Sequence, residues 1–375
     1  MIHIFILIRS LHTGGTECQL IELVKGIDKS RFNITVGLFY NEGELRSELV
    51  GIPNVTLLSL EKANRWDLIR FGIRLVKTLK SLKPDILYSF LPEANIVGLV
   101  TGRLAKVSRI VWGVRASNMD TRKYHWLFGV ALHVGAWLSR FPDAIIVNSF
   151  SGLEHHKSIG YDNARMTVVP NGINTVKFKP DEMLGKRVRS QWGIGVNKTL
   201  IALIGRMDPL KDHSTFLHSA RILLDYSKDV RFICVGDAQE PYRSKMLELS
   251  SRLGLNEHLV WNEARRDMPA VYNAIDIVTS SSRSEGFSNV IGEAMACGVP
   301  CVVTDVGDSA VIVGETGVVV PPKDPQALAD GWISMMKCLN DESYSMKEMP
   351  SERIVSNYNS KVFIQRTSRI FLSLL

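Results

Sequence analysis

Short runs of Ile and Val, separated by longer stretches with helical spacing, constrain this chain more than any other feature of its sequence. In the first half the runs are 2–8, 33–39, 55–58, 85–90, 109–114, 144–148 and 166–169. In the second they are 199–205, 230–236, 259–261, 275–280, 300–304 and 317–320. They lack the polar alternation of a strand with one wet face, so they read as strands covered on both sides. Between them, Leu20, Ile21, Leu23, Val24 and Ile27 form a helical stripe, and a second stripe (Phe216, Leu217, Ala220, Leu223, Leu224) follows Asp212 as a plausible N-cap. Such alternation predicts an α/β fold of parallel sheets wound with helices.

A chain of 375 residues accommodates two or three domains at about 150 residues each. The break falls at Pro170-Asn171-Gly172, a turn signal, and the strand–helix series restarts at Thr199. We therefore expect two Rossmann-like, doubly wound lobes of similar size, 1–170 and 171–355, facing a cleft that holds the site, with a final helix over 356–375. Apolar residues at 45% and charged residues at 22% exclude wholesale disorder. Five cysteines (Cys18, Cys234, Cys297, Cys301, Cys338) are too few and scattered for a disulfide framework and read as buried, reduced thiols. The apolar opening stops at Arg9 with no basic leader, and it reads as a buried strand rather than a secretory signal. No stretch of about 18 uncharged apolar residues is present to span a bilayer.

Three loops carry chemistry. The stretch 284–300 runs Ser-Glu-Gly-Phe-Ser-Asn-Val-Ile-Gly-Glu-Ala-Met-Ala-Cys-Gly-Val-Pro. Glu285 follows a strand, Asn289 reads as the cap of a helix over 290–296, and Gly298-Val299-Pro300 ends that helix. The amides of 287–291 then point out of a helix start, where an anion is favoured. Gly286 and Gly292 allow close backbone approach. Glu285 and Glu293 border one pocket as acceptors for vicinal sugar or ribose hydroxyls; the alternative is a solvent-facing Glu285 and a helix-capping Glu293. In 205–212, Arg206 and Lys211 share one strand-to-helix loop and suit a diphosphate, unless both are simply solvated. In 11–17, Gly14 and Gly15 open the first helix, either for a phosphate or as a plain tight turn. Neither a Walker pattern nor Gly-x-Gly-x-x-Gly occurs.

Together these motifs resemble a retaining, nucleotide-sugar-dependent glycosyltransferase of the GT-B fold, family four. The resemblance rests on Gly14-Gly15-Thr16-Glu17, Asn171-Gly172-Ile173, Gly205-Arg206 with Lys211, and above all Glu285-Gly286-Phe287 with 293–300. It implies that Arg206 and Lys211 hold the donor diphosphate; the expected nucleotide is UDP rather than GDP. Glu285 contacts the transferred sugar, and Glu293 accepts from the ribose. The backbone at Gly286, Phe287, Ser288 and Asn289 lines the sugar, Gly15 closes over the phosphates, and Arg265 lies beside the base. The tail helix crosses back to the first lobe. Arg115 stands where many members carry a His, either as a donor contact or as a structural arginine. Asn174 and Asp212 replace the family's usual Asp and Gly. No Asp-x-Asp occurs, so no metal and no cofactor beyond the nucleotide-sugar co-substrate are expected. Same-fold rivals are a sugar-nucleotide epimerase and a non-catalytic sugar-nucleotide-binding subunit.

The net charge of +7 lies in the first half: residues 1–170 hold 21 cations and 14 anions, whereas 171–375 hold 24 of each. Residues 62–83 concentrate it, with Lys62, Arg65, Arg70, Arg74, Lys77, Lys80 and Lys83 against Asp67 alone. Interleaved with apolar residues, this reads as a basic amphipathic helix for an anionic membrane surface, or as an ordinary helix with a solvated basic face. No nucleic-acid motif accompanies the charge. The apolar stretch 125–138 is too short to span a bilayer and reads as a buried helix, or as a contact for a lipid acceptor. The resulting expectation is a cytoplasmic hexosyltransferase, peripheral on the inner face of the plasma membrane, acting on a glycan or lipid-linked acceptor in surface-polysaccharide (for example lipopolysaccharide) synthesis.

Overall fold

The computed structural model describes residues 1–64, 66–115, 126–341 and 348–375. Arg65, His125 and the stretch 116–118 after Arg115 lie outside the described residues. The chain divides into two compact units, Met1–Gly172 with Ser360–Leu375, and Ile173–Asn359.

In the amino-terminal unit, β1 (Ile2–Ile8), β2 (Phe32–Leu38), β3 (Val55–Ser59), β4 (Ile86–Phe90), β5 (Arg109–Val114), β6 (Ala144–Val147) and β7 (Met166–Val168) form one sheet. Its order is β3-β2-β1-β4-β5-β6-β7, and every pairing is parallel. The helices are α1 (Gly15–Gly26), α2 (Ile69–Leu82), α3 (Pro92–Ala105), α4 (Trp126–Leu138) and α5 (Phe150–Ser158). β1 shows why the uninterrupted apolar runs are strands. Ile4, Ile6 and Ile8 enter one core with Leu20, Leu23 and Val24 of α1, while Phe5 and Leu7 enter another with Phe71, Leu75 and Leu79 of α2.

The carboxy-terminal unit contains α6 (Glu182–Gln191), β8 (Thr199–Ile204), α7 (His213–Tyr226), β9 (Val230–Val235), α8 (Tyr242–Arg252), β10 (Leu259–Asn262) and α9 (Met268–Asn273). It continues through β11 (Ile277–Ser280), α10 (Asn289–Ala296), β12 (Cys301–Thr304), α11 (Ser309–Val313), β13 (Val318–Val320), α12 (Pro325–Leu339) and α13 (Glu348–Asn357). Its parallel sheet runs β10-β9-β8-β11-β12-β13. The expected stripe of α7 is buried throughout, and Asp212 caps that helix, its side chain accepting from the Thr215 amide. The last helix, α14 (Ser360–Ser373), belongs to the amino-terminal unit, where Phe363 and Phe371 join the core of Tyr88 and Phe90.

Two expectations need correction. The basic run 62–83 is helical only from Ile69. Before it, the Asn64 side chain accepts from the Trp66 amide and Asp67 accepts from the Ala63 amide, closing a turn. Lys62 is buried and donates to the Asn64 carbonyl and the Tyr40 hydroxyl, and Arg74 donates to Asp67 at 2.8 Å, so neither offers its charge to an outside partner. The cysteines are all free, but only Cys234, Cys297 and Cys301 are buried; Cys18 and Cys338 are half-buried. Among the described residues no helix is long and apolar enough to cross a membrane.

Candidate active site

In the carboxy-terminal sheet, β8 and β11 are neighbours from which the chain winds outward in both directions. Such a switch point leaves a crevice beyond the strand ends, lined by the two loops that leave them. These are the loop from Gly205 to Asp212 and the loop from Ser281 to Ser288, which carry the sequence candidates.

Gly205 has φ +140, and a Cβ there would lie 3.4 Å from Cε of Lys211. The lysine stem therefore lies back over the end of β8, and its ammonium crosses to the neighbouring loop. Lys211 Nζ donates to Glu285 Oε1 at 2.5 Å, and Ser282 Oγ donates to the same oxygen at 2.6 Å. The two side chains are mostly shielded, 25% and 12% exposed, so this pair is stronger than a surface ion pair. Behind it, Gly307 has φ +60, and a Cβ there would come within 2.4 Å of the Glu285 carbonyl oxygen. Only glycine lets the loop after β12 press against 285–286, where the Asp308 amide donates to the Gly286 carbonyl at 3.0 Å.

The helix after Glu285 begins one residue earlier than its sequence suggests. Ser288, buried and extended, is the N-cap of α10, and Asn289 is already its first helical residue. The reason is local: Phe287 is buried against Ile291 and the Tyr358 ring, 5.4 Å away, which turns the chain at Ser288. Phe287 thus offers only its backbone to a ligand. α10 starts four residues after Glu285, and a helix start carries partial positive charge.

Glu293 lies in α10, where the buried Tyr272 hydroxyl of α9 donates to its Oε2 at 2.8 Å. Burial, with Glu293 adding to it, pushes the Tyr272 phenol well above its ordinary range, so it stays a donor. Burial, reinforced by Glu293, pushes the Cys297 thiol up to about 12, which leaves it inert.

The remaining candidates make other contacts. Arg206 is 81% exposed, with Asp208 at 3.4 Å as its ion-pair partner. Arg265, after the edge strand β10, donates to Asp267 at 2.8 and 2.5 Å and to Gln191 at 3.3 Å, and lies over the Trp192 ring. Its contacts tie it to its own loop and to the end of α6. In the amino-terminal unit Gly15 opens α1 after Gly14, and a Cβ on Gly14 would meet the Glu17 carboxylate at 2.4 Å. Burial pushes that carboxyl up despite a backbone hydrogen bond and His12. Arg115 donates to Asn171 Oδ1 at 2.6 Å, with its guanidinium over the Phe90 and Phe363 rings at 5.2 and 5.7 Å.

Tyr272, Ser282 and Arg283 escaped the sequence reading. The run Ser280-Ser281-Ser282-Arg283 between a strand and Glu285 was the available signal. Tyr272 has none, because only the sheet brings α9 to α10.

A model described as Glycosyltransferase Family 4 matches residues 13–177, and one described as Glycosyl transferases group 1 matches residues 198–338. The chain is 24% identical over 316 residues to a UDP-Gal:alpha-D-GlcNAc-diphosphoundecaprenol alpha-1,3-galactosyltransferase of Escherichia coli, covering 81% of this chain and 79% of the relative. It is 32% identical over 218 residues to a D-inositol 3-phosphate glycosyltransferase of Corynebacterium urealyticum, covering 55% of this chain. The match spans about half the length of that relative, 51%. Among solved structures, Anabaena Alr3699/HepE in complex with UDP superposes with a TM-score of 0.85 at 23% identity, over 100% of both chains. With two parallel Rossmann-like units and glycosyltransferase models matching both, the chain belongs to the GT-B glycosyltransferases.

Proposed function

We propose that this chain is a retaining glycosyltransferase that moves a hexose from a UDP-linked donor to a glycan or lipid-linked saccharide in cell-surface polysaccharide synthesis. The observation that carries this reading is the Lys211–Glu285 pair at the β8/β11 switch point, beside the start of α10. A cation, a carboxylate and a helix start in one crevice suit a sugar joined to a diphosphate: the ammonium and amides meet the phosphates, and the carboxylate meets sugar hydroxyls. Lys211 and Glu285 hold their charges against each other, so an arriving diphosphate exchanges one anionic partner of Lys211 for another. Arg206, exposed on the same loop, folds onto the outer phosphate. Glu293, held by Tyr272, accepts from the ribose, and Arg265 flanks the base. The Escherichia coli relative, a UDP-Gal-dependent enzyme, and the UDP complex of Alr3699/HepE support the choice of nucleotide.

In the transfer itself, an acceptor hydroxyl attacks the anomeric carbon on the face from which the diphosphate leaves. The anomeric C–O bond breaks, a new one forms to the acceptor, and the hydroxyl proton passes to the departing phosphate oxygen. Lys211, Arg206 and the α10 amides offset the charge on that oxygen, a role that elsewhere falls to a metal. Glu285 orients the sugar; the two-carboxylate scheme of hydrolases is not invoked.

The amino-terminal unit supplies the acceptor surface. On α2, Arg70, Lys77 and Lys80 are exposed, and so are Trp66 just before it and Ile69 and Ile73 within it, at 71%, 79% and 52%. Apolar and basic side chains exposed together suit an anionic lipid surface. We place the protein on the inner face of the plasma membrane.

A thermal-shift panel of UDP-hexoses, UDP-acetamido sugars and GDP-mannose tests the donor. A UDP-sugar raises the melting temperature and is turned over in EDTA, while Glu285→Gln folds normally and loses about 100-fold or more in turnover. A response to GDP-mannose alone rejects the donor assignment. Near-normal turnover of Glu285→Gln removes that residue from the site.

A further inference from the structure

Between Lys211 and α7 stands a residue whose surroundings the proposed chemistry does not require. Asp212 is 1% exposed and sits in the left-handed region at φ 49, ψ 54, a conformation that costs a non-glycine residue energy. Its carboxylate is bound on every side that the geometry records. Arg283 Nε donates to Oδ2 and Nη2 to Oδ1, both at 2.8 Å, in a forked pair. The Thr215 hydroxyl donates to Oδ2 at 2.8 Å, and the Thr215 amide to Oδ1. Burial alone would raise its pKa, but Arg283 and Thr215 outweigh this and hold the carboxyl below its ordinary value.

Arg283 belongs to the other loop of the crevice, two residues before Glu285. Its amide donates to the Leu210 carbonyl at 2.7 Å, and the Ser281 hydroxyl donates to the carbonyls of Lys211 and Asp212 at 2.8 and 3.2 Å. The backbone of Lys211 is thus fixed from both sides by the segment that presents Glu285. A bidentate guanidinium–carboxylate pair with one buried partner fixes distance and angle together, which a single hydrogen bond does not.

From this geometry we infer that Asp212 and Arg283 form a positioning clamp, which locks the two loops in register and thereby aims Lys211 at the phosphates. Neither residue need touch the donor. The inference rests on Lys211 being a phosphate ligand, and the experiment separates the two ideas.

UDP affinity is measured by calorimetry for the full chain and for Lys211→Ala, Arg283→Lys and the double variant Asp212→Gly/Arg283→Met. The double variant removes both charges, so no orphan is left buried, and glycine accepts the left-handed backbone. Each set is also made in the Lys211→Ala background, and the melting temperature without ligand is recorded for all. If Lys211→Ala leaves UDP affinity unchanged, the phosphate reading of Lys211 fails, and the clamp fails with it. If Lys211→Ala weakens UDP binding, the clamp requires Arg283→Lys and the double variant to weaken it by about tenfold, the scale of one misplaced charge-assisted hydrogen bond. It also requires the same changes to add less than about twofold once Lys211 is Ala, since residues acting through one another are not additive. Full additivity in that background, or wild-type affinity in Arg283→Lys and the double variant, overturns the clamp and leaves the reading of Lys211 standing.

Discussion

Glu293, the proposed ribose acceptor, has a neighbour that itself offers nothing to a ligand. In the proposed role its carboxylate must meet two vicinal hydroxyls with its oxygens in place, and the Tyr272 hydroxyl donates to Oε2 at 2.8 Å. Tyr272→Phe keeps the buried ring and deletes that donor. We expect UDP affinity to fall by about threefold to tenfold, the worth of one ordinary hydrogen bond, with the ligand-free melting temperature lowered only slightly. Calorimetry with UDP, compared with the same measurement on Glu293→Ala, checks it; the two losses overlap if Tyr272 acts through Glu293. At this scale the sequence is an uneven guide. Glu285 and Lys211 were legible as candidates because the strand ends they follow are legible, and Glu293 because it falls inside a readable helix. Their partners Ser282, Arg283 and Tyr272 were not, since each is set by loop contact or by helix packing across a sheet rather than by spacing along the chain.

At the scale of elements, the strands were readable from one property, burial on both faces. That reading locates the carboxy-terminal switch point as soon as the strand order is known. Helix starts were less legible. The α10 cap moves to Ser288 because Phe287 is buried, and α2 starts at Ile69 because Asn64 and Asp67 form a turn with their own backbone. The second shift changes what α2 offers. Lys62 and Arg74 spend their charge internally, so a lipid surface would meet Arg70, Lys77 and Lys80 flanked by Trp66, Ile69 and Ile73. Replacing Lys77 and Lys80 with Glu should lower binding to vesicles containing phosphatidylglycerol, and Trp66→Ser with Ile69→Ser should lower it at high salt as well. Flotation assays read both. A protein that floats equally well after all four changes carries its membrane contact elsewhere.

The whole molecule has a built-in acid sensitivity. His156 on α5 and His213 at the start of α7 are buried, one in each unit, and burial lowers both to about 4 from an ordinary value of 6.5. The unfolded chain therefore takes up these protons first as pH falls. Stability is full above about pH 6.5, declines from there toward pH 4, and stops declining from this cause once the folded rings protonate. Urea midpoints measured at intervals from pH 7.5 to 4.5 should fall in that window, and the fall should be smaller in His213→Phe.

The tail helix α14 has a consequence for how such a protein is made. Phe363 and Phe371 complete the core around Tyr88 and Phe90, yet they are translated only after all of 173–359. During synthesis the carboxy-terminal unit has its entire sequence available before its neighbour does, reversing the usual vectorial order in which the first domain matures first. Until residues 360–371 emerge, the nascent amino-terminal sheet carries an uncovered aromatic seam, and that interval is when a holdase chaperone would find its grip.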